Sequence, residues 1–299
     1  MSDGRALARA WSERGQVVTA GSERVWRLDT GPVDDPSGPA VVLVHGFPTC
    51  SLDWRHLVGA LAPHRRVIAM DLPGYGLSAK PDRSYPLERQ ADVVVDVVRA
   101  AGVDEVDLVT HDMGDTVGGA VLARDLDGDD LGFRIRRRVL TNGSIYIGMA
   151  NLTSGQRLGL RLPDRQVPRP GGPVLRALYR TGIRRIFGDT PLSSEDADAL
   201  WWLMSRNDGH RLLPRLIRYI EERRVHEGRW TGAIESHPSP VDVVWGARDP
   251  VAVVAMADRF VAARPAAGLV VLDGVGHFPM IEAPTRFNEA VLAALEVSP

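Results

Sequence analysis

Cysteine, long apolar runs and an excess of either charge are scarce or missing in this sequence. Its 299 residues include one cysteine, Cys50, so an internal disulfide is excluded and a reducing, cytoplasmic location is expected. No apolar run approaches the ~20 residues of a membrane span, and residues 1–14 lack the apolar stretch of a signal peptide. The 36 basic and 38 acidic residues leave a net charge of -2. Attraction to nucleic acid or to an anionic membrane is therefore not expected.

Clusters of metal-ligating residues and internal repeats are also missing from the sequence. We therefore expect no metal and no cofactor. The composition, 44% hydrophobic and 25% charged, is typical of a globular protein. A chain of this length can form one large core, alone or with an inserted lid. Its oligomeric state is left open.

Strand and helix patterns alternate along most of the chain. Short apolar runs bounded by turn residues predict strands, and apolar residues at helical spacing predict helices. The alternation predicts an α/β fold, a mostly parallel sheet with helices on both faces. The predicted strands are 16–19, 23–28, 40–44, 66–70, 106–110, 136–141, 241–246 and 268–272, and the predicted helices are 87–101, 113–124, 251–263 and 284–295.

This alternation stops after Thr141 and returns near residue 237. The intervening segment is rich in arginine, proline and helical patterns, and it has no convincing strand. Helices are predicted at 193–204 and 211–224, with a loop at 168–173. We therefore predict one α/β core made of 1–141 and 237–299, interrupted by a helical cap at 142–236.

The stretch from Val106 to Asp115 carries the most chemical information. A strand pattern runs into a turn and then into a helix pattern, with Asp112 at the centre of the turn. A turn of this kind projects its middle residue into an active site. A serine there suits attack on an acyl carbon. A carboxylate suits displacement at a saturated carbon, as in an epoxide or alkyl halide, because the resulting ester can be hydrolysed.

Two further residues complete a possible triad in the expected chain order. Asp249 and His277 each follow a predicted strand, in a turn that contains glycine. Catalytic groups in open α/β sheets gather at the carboxyl ends of the strands. An isolated Asp at a strand end is usually a turn residue, and an isolated His usually a structural one. The three positions together predict a triad in which Asp249 orients His277 and Asp112 attacks.

The segment His45-Gly46-Phe47-Pro48 follows the apolar strand at 40–44 directly. A nucleophile of this type needs two backbone N–H groups that stabilise an oxyanion, one from the residue after the nucleophile and one from such a loop. We assign them to Met113 and Phe47. We call the strand-to-helix turn centred on Asp112 the elbow. Without the elbow, His45-Gly46 would be interpreted as a plain turn at the end of a strand.

These motifs resemble those of α/β-hydrolases of the epoxide hydrolase and haloalkane dehalogenase branch. Within that branch, the chain is most similar to mesoderm-specific-transcript-like hydrolases. The resemblance implies an α/β-hydrolase fold with a cap, a covalent alkyl-enzyme ester, and a small apolar organic substrate that reacts with water. It also places Trp54 among the expected substrate-binding residues. The similar segments are 45–48, 71–78, 111–117, 141–143, 206–209, 219–220, 229–233 and 276–278.

Departures from the family pattern help to choose between epoxide and halide. Haloalkane dehalogenases commonly have Trp after the nucleophile, and many have Asn after the His-Gly pair, as donors to the halide. The corresponding residues here are Met113 and Phe47, whose side chains donate no such hydrogen bond. Tryptophans of the predicted cap offer a substitute, although packing is the more common role of such residues. These cap tryptophans are Trp201, Trp202 and Trp230.

Epoxide opening instead requires an acid for the ring oxygen, which epoxide hydrolases provide with cap tyrosines. The predicted cap contains Tyr146, Tyr179 and Tyr219. Tyr219 is our first choice and Tyr146 the second, and simple packing is the alternative for each. An epoxide hydrolase is therefore the favoured function. A haloalkane dehalogenase is the nearest alternative, and a non-catalytic ligand-binding or scaffold protein a more distant one.

A serine-type esterase is disfavoured. Thr110 and Thr116 flank the predicted elbow but do not occupy its centre. A carboxylate that attacked an ester would give a reactive anhydride. The role of Asp115, close to the elbow, is left open.

Overall fold

An eight-stranded sheet forms the centre of the computed structural model, which describes residues 4–32, 38–143, 145–167 and 172–297. The spatial order of its strands is β1-β2-β4-β3-β5-β6-β7-β8. In that order, the strands from β4 to β8 are parallel, and β1 and β2 extend the sheet by antiparallel pairing. In chain order the strands are β1 (Gln16–Ala20), β2 (Glu23–Asp29), β3 (Ala40–Val44), β4 (Val67–Met70), β5 (Glu105–His111), β6 (Arg134–Thr141), β7 (Val241–Gly246) and β8 (Gly268–Leu272).

Helices flank this sheet. The wholly buried strand β3 has no polar side chain, as expected where a parallel strand is covered on both faces. The predicted architecture, a mostly parallel sheet with flanking helices, is therefore confirmed. The helices are α1 (Gly4–Ser12), α2 (Arg55–Leu61), α3 (Leu87–Ala101), α4 (Met113–Asp127), α5 (Ser154–Arg161), α6 (Gly172–Arg184), α7 (Ser194–Ser205), α8 (Leu213–Leu216), α9 (Tyr219–Ser236), α10 (Ala255–Ala263), α11 (Pro279–Glu282) and α12 (Pro284–Ala294).

The described residues between β6 and β7 contain helices and no strand. Helix α9 packs along α4, the helix that follows the predicted nucleophile, and α7 packs against the N-terminal helix α1. A salt bridge of 2.6 Å between Arg55 and Asp196 joins α2 to α7. These contacts fix the helical segment onto helices α1, α2 and α4. The cap limits of 142–236 stay a prediction, and residues 168–171 of the predicted loop lie outside the described residues.

The predicted helix at 211–224 is wrong in its bounds. The short helix α8 ends at Leu216, and α9 begins at Tyr219 and continues to Ser236. At the break, the Arg218 guanidinium donates to the carbonyls of Pro214 and Leu160, at 3.1 and 3.0 Å. The contact with Leu160 is tertiary, so helical periodicity alone does not reveal it.

The predicted helix at 251–263 begins later than expected, at Ala255. The Asp249 carboxylate accepts hydrogen bonds from the backbone N–H groups of Val251 and Ala252, at 2.7 and 3.1 Å. This side-chain turn replaces the first helical turn. The later start of α10 therefore follows from the hydrogen bonds that Asp249 accepts.

Within the described ranges, no helix is long and apolar enough to cross a membrane. Cys50 is a buried free thiol. The cytoplasmic location stays a prediction.

Candidate active site

Three predicted residues meet at the carboxyl edge of the sheet. Asp112 follows β5, Asp249 follows β7 and His277 follows β8. His277 Nδ1 lies 2.7 Å from Asp249 Oδ2, and His277 Nε2 lies 3.9 Å from Asp112 Oδ1. All three side chains are buried. The structure thus brings together the residues of the predicted triad, with the imidazole between the two carboxylates.

Asp112 occupies a sharp turn between β5 and α4. Its φ of 51° and ψ of -116° lie in a region that costs a non-glycine residue energy. The turn fits only because its neighbours are small. A Cβ at Gly46 would lie 2.5 Å from the Asp112 Cβ, and a Cβ at Gly114 would lie 2.5 Å from the carbonyl oxygen of Val44. Surrounding backbone therefore determines where the Asp112 carboxylate points.

The two carboxylate oxygens of Asp112 have different surroundings. Oδ2 accepts a hydrogen bond of 2.9 Å from the backbone N–H of Phe47, and the backbone N–H of Met113 also donates to this carboxylate. Oδ1 is the oxygen nearer to His277. The two N–H donors expected from the sequence thus converge on the nucleophile candidate itself.

Burial and charge act against each other on Asp112. Burial raises the pKa of this carboxyl, whereas His277 and the N–H groups of Met113 and Phe47 favour the ionised form and lower it. For His277 the balance is reversed. Burial lowers the pKa of its imidazole, but Asp249, Asp112 and Glu282 raise the pKa to about 9. The net effect is a raised pKa for Asp112 as well as for His277, and the imidazole lies between the two carboxyl groups.

Asn142 positions Asp249, a role that the sequence reasoning missed. Its Nδ2 donates to Asp249 Oδ2 at 2.8 Å, and its Oδ1 accepts from the Gly246 N–H at 2.9 Å. Asn142 adopts a left-handed φ of 43°, which asparagine tolerates better than most residues. In the sequence, the segment Thr141-Asn142-Gly143 contributes only to the family resemblance and gives no sign of a contact with Asp249.

Glu282 holds the loop that carries His277. Its carboxylate accepts from the N–H groups of Gly188, Gly276 and Phe278, at 2.7, 2.8 and 2.9 Å. The same loop is tied to the preceding helical segment, since the His277 N–H donates to the Ile186 carbonyl at 2.9 Å. Sequence reasoning missed Glu282 because nothing in its local pattern indicates three backbone donors.

Tyr219, the first-choice acid, is buried at the start of α9. Its ring lies 5.5 Å from the Phe47 ring between centroids. Burial and the Asp112 charge raise the pKa of Tyr219, and Arg223 and a hydrogen bond with Gln156 act in the opposite direction. A second buried phenol, Tyr75, also feels the Asp112 charge, and its hydroxyl lies 3.4 Å from Met113 Sδ. The sequence reasoning gave Tyr75 no role.

Two other expected site residues have different surroundings. The Tyr146 hydroxyl donates to Glu235 at 2.6 Å, and Arg259 lies 4.0 Å above its ring. That engagement is why we do not retain Tyr146 as the acid. Trp54 packs edge-on against His111 and lies beside Phe287, at centroid distances of 6.3 Å for both rings. Its role in binding a substrate stays a prediction.

The tryptophans proposed as halide donors also have other contacts. Trp230 Nε1 donates to Glu88 at 2.8 Å. The Trp201 ring lies between Tyr179 and His210, at 5.5 and 5.4 Å, and Trp202 lies under the Arg206 guanidinium. These contacts are those of packing residues.

Asp115 is fully buried on the first turn of α4 and accepts a hydrogen bond from the Thr110 hydroxyl. Burial raises its pKa well above the ordinary value, and the Asp112 charge raises it further. Both effects favour the neutral form of Asp115. Among the described residues, no group of His, Cys, Asp and Glu side chains is arranged to hold a metal ion.

This combination of fold and site defines an α/β-hydrolase. Residues 41–290 match the Alpha/beta hydrolase family, and the chain belongs to that family and is a hydrolase of this fold. It is 38% identical to the LipZ protein of Mycobacterium tuberculosis over 96% of this chain and 97% of that one. It is 30% identical to the mouse (Mus musculus) mesoderm-specific transcript protein over 95% of this chain and 86% of that one.

Solved structures with the same fold have diverse chemistry. The epoxide hydrolase CorEH matches with a TM-score of 0.74 at 19% identity, covering 94% of this chain and 98% of that one. A serine hydrolase of carbazole degradation, CarC, matches with a TM-score of 0.73 at 23% identity, covering 95% and 99%. At these identities the likeness shows the fold alone.

The first testable prediction concerns the charge around His277. Replacing Asp112 with Asn removes one of the anions that raise the pKa of His277, so the pKa should fall below the value of about 9 in the unchanged protein. An NMR titration of the imidazole protons measures both values. Asp242→Asn is the matched control, because Asp242 lies near the end of β7 that is remote from Asp249. This variant should leave the pKa of His277 unchanged. Equal values in the Asp112→Asn variant and the parent would contradict the arrangement.

The second prediction concerns the space at the elbow. Gly46→Ala places a methyl group against Asp112 and should lower the free energy of unfolding by ~1–3 kcal/mol, as overpacking does. Gly59→Ala is the control, because nothing lies within 4 Å of a Cβ there. In the interior of α2 this control should stabilise by roughly 0.5–1 kcal/mol. Urea unfolding checks both, and no loss of stability at position 46 would argue against the close approach.

Proposed function

We propose that this hydrolase opens epoxides to diols through a covalent ester on Asp112. The observation that carries the proposal is that the two carboxylate oxygens of Asp112 have different contacts. Oδ2 is held by the Phe47 N–H at 2.9 Å, and Oδ1 lies on the side of His277. A nucleophilic carboxylate needs one oxygen to attack and the other in a site that stabilises an oxyanion.

The first step is attack by Asp112 Oδ1 on an oxirane carbon. The carbon–oxygen bond of the ring breaks, and its electron pair remains on the ring oxygen as an alkoxide. Tyr219 donates its proton to that oxygen, which is the task of a general acid. The products of this step are an alkyl ester of Asp112 and a free hydroxyl on the substrate.

The proton on His277 restores Tyr219. Esterification removes the negative charge of Asp112, which is one of the charges that raise the pKa of His277. The imidazole therefore becomes a weaker base and releases its proton, which replaces the one lost by Tyr219. His277 is then neutral and ready to act as a general base.

The second step is hydrolysis of the ester. His277 Nε2 removes a proton from water, and the hydroxide attacks Cγ of Asp112. The negative charge develops on Oδ2, which the Phe47 N–H already binds, and the Met113 N–H also donates to this carboxyl group. One such donor is worth about 3–4 kcal/mol in a studied hydrolase. Collapse breaks the bond between Cγ and Oδ1, and the departing oxygen takes the proton of the hydroxyl newly bound to Cγ. The diol leaves with Oδ1, and the Asp112 carboxylate and cationic His277 are regenerated.

The surroundings of the site favour an epoxide over an alkyl halide. An alkoxide needs a proton, and Tyr219 is a buried phenol close enough to Asp112 to feel its charge. A halide needs N–H donors that do not transfer a proton. The cap tryptophan Trp230 has its indole N–H engaged by Glu88. We therefore give no separate support to dehalogenation or to a non-catalytic role.

Trapping the ester tests the nucleophile. His277→Ala removes the base for the second step, so incubation with styrene oxide should add the mass of one substrate to the protein, on the peptide that contains Asp112. Asp112→Ala should give no adduct. Intact-mass spectrometry and peptide mapping read both results. The proposal fails if a panel of epoxides and bromoalkanes leaves the His277→Ala variant unmodified.

Oxygen transfer gives an independent reading of the same step. In a single turnover of the unchanged enzyme in heavy-oxygen water, the first diol should carry an unlabelled oxygen that comes from Asp112. The label should appear in Asp112 itself. A labelled first diol would mean that water attacks the epoxide directly.

The acid is tested by removing one hydroxyl. Tyr219→Phe should slow alkylation of Asp112 by styrene oxide by about 10²–10⁴-fold, the usual contribution of a general acid. Alkylation by bromohexane should be much less affected because bromide leaves without a proton. Tyr146→Phe is the matched control, since that hydroxyl binds Glu235, and its alkylation rate should stay near that of the parent. Rapid-quench mass spectrometry measures each rate, and a Tyr219→Phe variant that opens styrene oxide at the parental rate would exclude this acid.

A further inference from the structure

Arg223 is a buried cation that the reaction scheme leaves without a task. It follows Tyr219 by one turn of α9, so the two side chains leave the same face of that helix. Its side chain is 3% exposed. The groups whose charges act on it are Tyr219, Asp112, Glu227 and Asp115. Arg223 is therefore placed within electrostatic range of the nucleophile.

The guanidinium of Arg223 differs from those of the other fully buried arginines. Arg65 donates to Asp107 and to the Pro39 carbonyl, and Arg138 donates to Ser239 and to backbone carbonyls. Arg223 Nη2, in contrast, is buried and has no hydrogen-bond partner within the described part of the chain. A buried charged donor without an acceptor is costly. This orphan N–H group indicates an acceptor that arrives with a ligand.

A small cavity adjoins Arg223. Thr116, one turn after Asp112 on α4, lines it. Glu227 also lines it, and one of its oxygens accepts from the Ile147 N–H at 2.6 Å. The free space is about 10 Å³, so it admits a single oxygen acceptor among the Arg223 guanidinium, Thr116 and the Glu227 carboxylate. Its remaining lining residues are Ile145, Trp230, Thr231 and Ile234.

The charge on Asp112 changes during the proposed reaction, and this affects Arg223. In the proposed cycle, Asp112 reacts as a carboxylate whose charge acts on Arg223. The ester has no such charge, and burial favours the neutral form of Asp115 by raising its pKa. The covalent intermediate thus leaves a buried guanidinium with less compensation. A negative group on the substrate would restore it.

We propose that Arg223 binds a carboxylate on the substrate. Resting on the proposed function, this inference names the substrate class as small epoxides that carry a carboxylate, in place of the wholly apolar molecule expected from the sequence. The unpartnered Nη2 offers a charge-assisted hydrogen bond to a carboxylate oxygen, at a position that a lysine ammonium does not reproduce. The carboxylate end occupies the Arg223 side of the site, and the oxirane lies at Asp112 and Tyr219.

Binding of butyrate tests the carboxylate site without any turnover. Calorimetry should show saturable binding of butyrate to the unchanged enzyme and at least about tenfold weaker binding to Arg223→Met, as expected for a charge-assisted hydrogen bond. Butyramide, the neutral analogue, should bind at least about tenfold more weakly than butyrate to the unchanged enzyme. Arg224→Met is the matched control, because it removes the same charge from an exposed neighbouring position on α9. It should bind butyrate like the parent.

Three results would overturn the proposal: no butyrate binding by the parent, equal binding of butyrate and butyramide, or equal butyrate affinity in the Arg223→Met variant and the parent. If Arg223→Met does not fold, as judged by circular dichroism, Arg223→Lys replaces it. The lysine variant retains the charge and should bind butyrate more weakly than the parent but more tightly than butyramide. Equal binding of the two ligands by the lysine variant would also count against the site.

A kinetic arm connects the site to catalysis. Arg223→Met should raise KM for glycidate by at least about tenfold, with a much smaller change for glycidamide. An equal change in KM for both substrates would overturn the role of Arg223 in substrate choice. Absence of any Asp112 adduct would refute the proposed epoxide chemistry instead. The butyrate result remains interpretable in that case because it requires no reaction.

Discussion

His277 lies between two buried carboxylates, and the chemistry of the site depends on this arrangement. Asp249 lies 2.7 Å from Nδ1 and Asp112 lies 3.9 Å from Nε2. Both anions oppose the effect of burial, which alone would favour a neutral imidazole. The pKa of His277 consequently depends on the charge state of Asp112. In the proposed cycle, that dependence makes the imidazole a proton donor before the ester is hydrolysed and a base during the hydrolysis.

Much of the remaining structure serves to keep these groups in place. Asn142 and the backbone N–H groups that follow Asp249 hold the Asp249 carboxylate in place. Glu282 binds the backbone N–H groups around His277. The elbow is constrained by close backbone contacts at Gly46 and Gly114. Rigid placement of this kind reduces the reorganisation that a reaction would otherwise require. The site is therefore organised before any substrate binds.

Helix α9 makes a different contribution. It packs along α4 and carries Tyr219 and Arg223 on one face, next to the elbow. The sheet edge holds the groups that we assign to the ester chemistry, whereas this helix holds the groups that we assign to the ring oxygen and to the substrate carboxylate. Neighbours of the same fold include a serine hydrolase and an epoxide hydrolase, so the fold alone does not select the reaction. The residue at the apex of the elbow and the residues on α9 can select the reaction.

The positions of the strands, the turn at Asp112 and the chain order of Asp112, Asp249 and His277 were predictable from the sequence. These are local features, because apolar runs, glycine-bearing turns and strand-to-helix changes are visible within a few residues. Long-range contacts, in contrast, join Tyr146 to Glu235, start α9 at Tyr219, and bring Asn142, Glu282 and Arg223 to the site. Burial, hydrogen bonding and charge compensation all depend on such contacts between residues far apart in the chain. No local pattern records those contacts.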